Sequence, residues 1–500
     1  MRLVVTRILF LFVILLAGWS SFSQKGFDFN ARCKQAYHEI MQLKLQSAKR
    51  LLDQEKAAHP DNLIPHLLDN YIDFYTLLFN EDPQDLKLKK SALDKRISLI
   101  NEGPESSPFY LFSKSVIYFQ WAAVRMKFGY NWDGGWLFRR SYLLIKDNQE
   151  KFPGFSPNLL YNGSMQIAAD AIPDGYRWLS NLLGVKGGAD KGFKAIESFL
   201  SEKDEWAVLF KDEALFYYLF LRYYNKNERK EALEYIRTKK PDVRNNHLFA
   251  FLAVNLNVND QQSENAIRII KEMVVSPDYL QTPVWDLQMG YALMNRLDDQ
   301  APVYFEQYLT HFKGSFYVKD VLQKLSWFYY IKGDQHKADD YRKQLISRGA
   351  QRTDADKQAQ KEALSGTWPN KLLLQARLLN DGGYFQEALH LLAGKRAIDF
   401  TDAPDRLEFY YRVARLYDAV GREEESITFY QQAIKSGEHQ KEYYAARSAL
   451  QLGMVYEKKG DTAQAAYWYR QCLDMKGHDY KNSLDQRAKA GLSRVQSTAP

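Results

Sequence analysis

The chain has 500 residues and a formal net charge of +7. This length is long for one compact domain but ordinary for a solenoid, whose length is not limited by a single core. The charge excess is small for this length, and no run of lysine and arginine is long enough to indicate nucleic-acid binding. Two cysteines are too few for a disulfide-stapled scaffold.

Residues 1–23 have the features of a signal peptide. Arg2 and Arg7 precede an apolar run over residues 8–19, and small serines follow it. The run is shorter than the roughly 20 apolar residues of a membrane-spanning helix. We therefore expect cleavage after Ser23 and export to the periplasm or outer membrane of a Gram-negative bacterium, with no transmembrane helix in the mature chain. An uncleaved anchor is the alternative.

Residues 27–200 are predicted to form an irregular α-helical region, because their periodicity is helical but their spacing is uneven. An aromatic stretch with Tyr130, Trp132 and Trp136 lies in a predicted loop and is a candidate site for a sugar or a peptide. The preferred alternative is that Trp132 and Trp136 fold back onto neighbouring helices, since tryptophan usually buries most of its surface.

A second stretch of this region, residues 171–192, is rich in glycine towards its end. A phosphate-binding loop needs a preceding strand and a Gly-Lys-Ser or Gly-Lys-Thr ending. Here a helix precedes the glycines, and Lys191 is followed by Gly192 and Phe193. The glycines at 184–192 are therefore predicted to form a tight turn between two helices.

The rest of the chain is predicted to be repetitive, with degenerate repeats over 201–350 and regular repeats plus a capping helix over 365–495. Gly383, Gly421 and Gly460 recur at spacings of 38 and 39 residues. A period of this length is typical of stacked helix pairs. The predicted fold is all-α, a helix-pair solenoid with an irregular helical N-terminal half.

Small and large residues alternate within each repeat. Small residues such as Ala414 and Gly453 lie where two helices are expected to cross, and the glycines that end the first helix suit a left-handed conformation. These positions resemble the tetratricopeptide repeat. The resemblance covers 407–473, extends with fewer matching positions to 369–395, 319–342 and 213–236, and is interrupted at 284–308 by Pro302, which replaces a small residue.

In the tetratricopeptide family the first helix of each pair lines the inner face of the solenoid. The resemblance therefore implies partner contacts from Tyr411, Arg415 and Asp418 in one repeat and from Met454 in the next. The paired lysine and asparagine with which some family members grip a peptide carboxylate are not reproduced, so chaperone-type partners are not implied. Further inner-face positions are Glu408, Arg447, Leu450 and Glu457.

The sequence contains no motif that indicates catalysis, a cofactor or a metal. No two of the nine histidines have the i, i+4 spacing of a zinc helix, and there is no Gly-x-Ser-x-Gly motif. We expect a non-enzymatic scaffold for a protein or peptide partner. The alternatives are a glycan-binding protein resembling the SusD family and an enzyme that acts on polysaccharides with an α/α-toroid fold.

Overall fold

The computed structural model describes residues 25–170, 187–226, 229–437 and 440–497. In these ranges the chain forms helices and turns, with one isolated bridge between Gly26 and Asn62 and no β-strand. The predicted all-α class is confirmed. None of the helices in these ranges is both long enough and apolar enough to cross a membrane. The predicted signal peptide and residues 171–186 lie outside the described residues.

The chain divides into two compact units. The first comprises residues 1–252 and 273–282, and the second comprises 253–272 and 283–500. The helices of the first unit are α1 (Ala31–Met41), α2 (Leu45–Ala58), α3 (Ile64–Asn80), α4 (Pro83–Leu88), α5 (Ala92–Ile100), α6 (Pro108–Lys127), α7 (Asn131–Lys151), α8 (Pro157–Asp170), α9 (Ala189–Ser201), α10 (Glu205–Leu209), α11 (Lys211–Leu221) and α12 (Arg229–Lys239).

Helix α13 (His247–Asn259) contributes residues to both units. The remaining helices belong to the second unit: α14 (Ser263–Glu272), α15 (Val284–Asn295), α16 (Ala301–His311), α17 (Val318–Lys332), α18 (Gln335–Ser347), α19 (Asp354–Ser365), α20 (Lys371–Gly382), α21 (Phe385–Leu392), α22 (Ala403–Ala419), α23 (Glu423–Gly437), α24 (Tyr444–Lys458), α25 (Thr462–Asp474) and α26 (Lys481–Ser497).

Close helix crossings organise the first unit. Helices α8 and α9 cross where Gly163 faces Gly192, and a Cβ on either glycine would lie 2.6 Å from the carbonyl oxygen of the other. Gly192 is therefore inside a helix, and the predicted tight turn is wrong at this position, because the residue serves a helix crossing. The segment 213–236 also differs from the predicted repeat, because α11 continues into a π-helical turn, Arg222–Lys226.

The second unit is a solenoid of helix pairs, as predicted. The pair α15–α16 belongs to it despite Pro302, because this proline lies in the first turn of α16, where an N–H has no helical partner. Gly290 of α15 faces Phe305 of α16, and a Cβ there would lie 2.6 Å from the ring. Helix α19 is an additional helix between the pairs α17–α18 and α20–α21, which lengthens the spacing of the repeat at that point.

Glycines end the first helix of the pairs in the left-handed conformation, as predicted. Gly383, Gly421 and Gly460 have φ angles of +89°, +78° and +78°. After Gly460, the side chain of Asp461 accepts a hydrogen bond from the backbone N–H of Gln464 and so caps the second helix. Each turn thus reverses the chain within two or three residues.

Candidate protein-interaction surface on the second unit

The first helices of the C-terminal pairs, α17, α20, α22 and α24, pack side by side in chain order. Their partners α18, α21, α23 and α25 form the other layer of the solenoid. We call the surface that the first helices present on the side away from their partners the A-helix face. This is the surface on which the repeat pattern predicts partner contacts.

Five residues of the A-helix face, together with Tyr480 from the segment before α26, form what we call the arginine–tyrosine cluster. The ring of Tyr444 lies 5.2 Å from that of Tyr411 and 4.5 Å from that of Tyr443. Tyr480, just before α26, meets Tyr443 edge to face at 5.0 Å. The cluster therefore joins α22, α24 and the start of α26. Its members are Arg377, Tyr411, Arg412, Tyr443, Tyr444 and Tyr480.

The two arginines of the cluster are held differently. Arg412 donates from Nε and Nη2 to Oε1 of Glu408, at 2.9 and 2.7 Å, and its side chain is only 6% exposed. Burial alone would lower the pKa of Arg412, but Glu408 outweighs it and raises the pKa, so the guanidinium stays charged. This ion pair belongs to the structure of the face.

Arg377, by contrast, is 37% exposed, and its ion-pair contact among the described residues is Asp381, 3.8 Å from Nε. That distance is too long for a hydrogen bond. The guanidinium lies 5.2 Å from the ring of Trp327, within cation–π range. Burial by itself would lower its pKa, but the oxygens of Tyr443 and Asp381 raise it. Arg377 thus presents a charged and hydrogen-bond-deficient group.

The hydroxyl groups of the cluster are also without protein partners. Within the described part of the chain, no hydrogen bond is formed by the hydroxyl of Tyr411, Tyr443, Tyr444 or Tyr480. Burial raises the pKa of Tyr480 to about 12, so its hydroxyl is a neutral donor at physiological pH. The cluster therefore combines one cation that has no hydrogen-bonded carboxylate, Arg377, with several hydroxyl donors that a bound molecule can satisfy.

Aromatic side chains continue the face beyond Arg377. Trp327 is buried, and its Nε1 donates to Glu362 at 2.7 Å. Tyr330 stacks on Trp368 with ring centroids 4.5 Å apart. At the edge of the face, Lys361 of α19 and Asp479 form an ion pair of 2.8 Å, although 118 residues separate them in sequence. This ion pair ties α19 to the segment before α26.

The predicted contact residues of this unit lie on the first helices, with different surroundings. Tyr411 belongs to the cluster. Arg415 is half-buried beside Tyr430, whose hydroxyl donates to Asp418 at 3.2 Å. Met454 is 40% exposed on α24. Their contact with a partner remains a prediction.

Sequence reasoning missed Arg377, although a signal for it was present. Arg377 occupies the same repeat position as Arg415 and Met454, at spacings of 38 and 39 residues. Projecting the inner-face positions onto α20 would have identified it. No comparable signal marked Tyr443 and Tyr480, because both lie at helix starts, outside the small–large pattern of the repeat.

The predicted aromatic site of the first unit has a different structure from the one expected. Trp132 and Trp136 lie in the first turns of α7 and not in a loop. Gly134, between them, packs against α6, where a Cβ would lie 2.6 Å from Met126 Cγ. The preferred burial of the two tryptophans is wrong, since Tyr130, Trp132 and Trp136 are 50%, 53% and 49% exposed. Whether they contact a ligand stays a prediction.

Comparison with known proteins identifies the repeats. Residues 405–477 match the family model for the tetratricopeptide repeat. No curated protein matches the chain. The matched range includes Tyr411, Arg412, Tyr443 and Tyr444, so most of the cluster lies within it. Repeats of this family serve in general as protein-interaction scaffolds and are typically not catalytic. The chain therefore contains tetratricopeptide repeats, and residues 405–477 carry that identification.

Proposed function

We propose that the chain is a non-enzymatic scaffold that binds a protein or peptide segment along the A-helix face of the second unit. The observation that carries the proposal is the arginine–tyrosine cluster, which lies largely within the matched repeats and offers donors that no described residue uses. A scaffold that holds its own cation and hydroxyl groups without partners presents them to a ligand.

The arrangement suits an extended segment that crosses α20, α22 and α24. Packed helices lie about 8–10 Å apart, and an extended chain rises about 3.3 Å per residue, so roughly three residues span the distance between neighbouring helices. Tyr443 and Tyr480 provide large, stiff contact surfaces, and Arg377 fixes the register through directed hydrogen bonds. Binding requires no catalytic group.

We further propose that the scaffold works in the bacterial cell envelope. Support comes from residues 1–23, whose charged start, short apolar run and small residues fit a cleaved signal. N-terminal sequencing of the protein recovered from a periplasmic or outer-membrane fraction tests this. Recovery from the cytoplasm with Met1 in place contradicts it.

Site-specific photo-crosslinking tests the binding face. A photoreactive phenylalanine analogue at Tyr480 places the probe in the cluster, and the same analogue at Tyr467 of α25 is the matched control. The two tyrosines are 46% and 48% exposed, but Tyr467 lies on a second helix of a pair. We expect a polypeptide adduct from position 480 in cells and none from position 467.

An adduct of equal strength at both positions, or none at position 480, overturns the proposed face. A glycan-binding function is retained as the second candidate because Tyr130 and Trp136 are exposed on the first unit. A glycan array with Trp136→Ala as control tests it. Glycan binding that Trp136→Ala abolishes, together with a negative crosslink at 480, favours this second candidate.

A further inference from the structure

We infer that the segment bound on the A-helix face is acidic, and that its side-chain carboxylates bind to the guanidinium groups of Arg377 and Arg415. The inference rests on the proposed function, because it names the chemistry of the partner for the same face. It concerns a row of positive charge on two neighbouring helices.

The pairing of the arginines in the second unit supports this assignment. Arg296, Arg422 and Arg494 each form an ion pair with a carboxylate at 2.6–2.7 Å. Arg342, Arg348 and Arg406 donate to backbone carbonyl oxygens instead. By contrast, Arg415 forms no ion pair with any described residue, although, against the effect of burial, Tyr430 and Asp418 lie close enough to raise its pKa. The contact of Arg377 with Asp381 is 3.8 Å long. No described carboxylate thus lies within hydrogen-bonding distance of Arg377 or Arg415.

The acidic groups of the same face are already engaged. Glu408 accepts both hydrogen bonds of Arg412, Glu362 accepts from Trp327 Nε1, and Asp418 accepts from the Tyr430 hydroxyl. The groups left without a close partner include donors, namely the Arg377 guanidinium and the hydroxyls of the cluster tyrosines. Carboxylate oxygens accept hydrogen bonds from both kinds of donor, and a guanidinium can bind one carboxylate through two parallel bonds.

The spacing of the charges favours side-chain carboxylates over a single terminal one. Arg377 and Arg415 are 38 residues apart and occupy the same repeat position on adjacent helices α20 and α22. Positive charge is thus distributed along the direction in which a segment crosses the helices. A lysine-rich segment would place like charges together on this face, which disfavours it.

The experiment measures binding of three fluorescent peptide sets to the full-length purified protein. The sets are equal in length and have glutamate, glutamine or lysine at every second position, with leucine and serine between. We expect the glutamate set to bind at least about tenfold more tightly than the glutamine set, as charge-assisted hydrogen bonds allow. Its affinity should fall as salt is added. Amidation of the peptide C-terminus should change the affinity little.

Variants of the protein then test whether the peptides bind on the A-helix face. Arg377→Gln should weaken binding of the glutamate set by about tenfold, and Arg377→Lys should restore part of the affinity, because lysine keeps the charge without the planar fork. Arg422→Gln is the matched control, since Arg422 lies at the start of α23 and is paired with Glu425. Unchanged thermal unfolding of Arg377→Gln shows that folding is intact.

Equal binding of the glutamate and glutamine sets, or equal loss in Arg377→Gln and Arg422→Gln, overturns the inference. If amidation of the peptide C-terminus abolishes binding, the protein recognises the end of a chain and not a row of side-chain carboxylates. The proposed function can be tested separately from this inference. A crosslink from position 480 to a partner segment without acidic residues supports the scaffold function and rejects the acidic ligand.

Discussion

Gly453 of α24 lies directly against the ring of Tyr469 of α25, so that a Cβ at position 453 would come within 2.5 Å of ring carbons Cδ1 and Cε1. Tyr469 is fully buried, and Gly491 of α26 covers the other side of its ring. The hydroxyl of Tyr469 donates to Glu457. Two glycines and one hydrogen bond thus hold this ring between three helices.

We predict that Gly453→Ala destabilises the second unit by about 1–3 kcal/mol, because the ring has no free side into which to move. This loss must exceed the gain of about 1 kcal/mol that alanine brings to a helix. Urea unfolding measures the difference. Gly154→Ala is the control, since no atom would lie within 4 Å of its Cβ. A Gly453→Ala protein as stable as the native one contradicts the packing.

A substitution at Gly421 tests the cost of a left-handed backbone conformation separately from any steric clash. Its φ is +78°, and no atom lies within 4 Å of the position of a Cβ. Gly421→Ala should lower the free energy of unfolding by about 1–2 kcal/mol, which is the strain of a left-handed non-glycine residue. Gly421→Asn should cost less, because asparagine tolerates this conformation better. Thermal unfolding that ranks the alanine variant at or above the asparagine variant contradicts this explanation.

A buried carboxylate in the first unit should make stability depend on pH. Glu213 accepts hydrogen bonds from Tyr37 and Tyr161 at 2.6 Å and from Tyr71 at 3.2 Å. Burial raises its pKa, and the tyrosine hydroxyls only partly oppose this. An acid whose pKa is raised on folding stabilises the folded state fully below its ordinary pKa of 4.5 and loses that contribution as the pH rises through the folded value.

We therefore expect the stability advantage of the native protein over Glu213→Gln to be largest near pH 4 and to shrink as the pH rises. Unfolding in urea across this pH range, followed by near-ultraviolet circular dichroism of the tyrosines, measures it. An advantage that grows with pH would show that the carboxylate is stabilised in its charged form.

Glu55 is the contrasting case in the same unit. It is buried too, which opposes ionisation, but side-chain hydrogen bonds from Asn30, Asn62 and Arg32 outweigh burial and lower its pKa. Its contribution is therefore present above pH 4.5 and is lost as the pH falls through the folded value. The advantage of the native protein over Glu55→Gln should shrink on acidification, opposite to that for Glu213→Gln. If the stability advantage changes with pH in the same way for the two variants, the opposite pKa shifts assigned to Glu55 and Glu213 are wrong.

The Arg412–Glu408 pair should stabilise the A-helix face. Glu408→Gln leaves a nearly buried guanidinium without its carboxylate and should cost about 2–4 kcal/mol. Replacing both residues, as Glu408→Gln with Arg412→Met, should cost less than the sum of the single changes. A double-mutant cycle from urea unfolding measures the coupling, and additive losses contradict a direct interaction.

Much of the second unit follows from local sequence. The glycines at 383, 421 and 460 end helices because their left-handed conformation is a property of one residue. Small residues such as Ala414 and Gly453 mark helix crossings because a larger side chain would separate the helices. Tyr411 and Arg415 were predicted on the inner face for the same reason, since repeat position determines which side of a helix a residue occupies.

What the tertiary structure decided is which distant side chains meet and which are left without partners. Tyr480 reaches Tyr443 only because α24 and α26 stack. Arg377 has only the 3.8 Å contact with Asp381, because the neighbouring helices place no carboxylate closer to it. Trp136 stays half-exposed, although Gly134 two residues earlier packs closely against α6. Periodicity is encoded within one helix pair, whereas these relationships depend on the angles at which successive helices pack, and no local pattern specifies those angles.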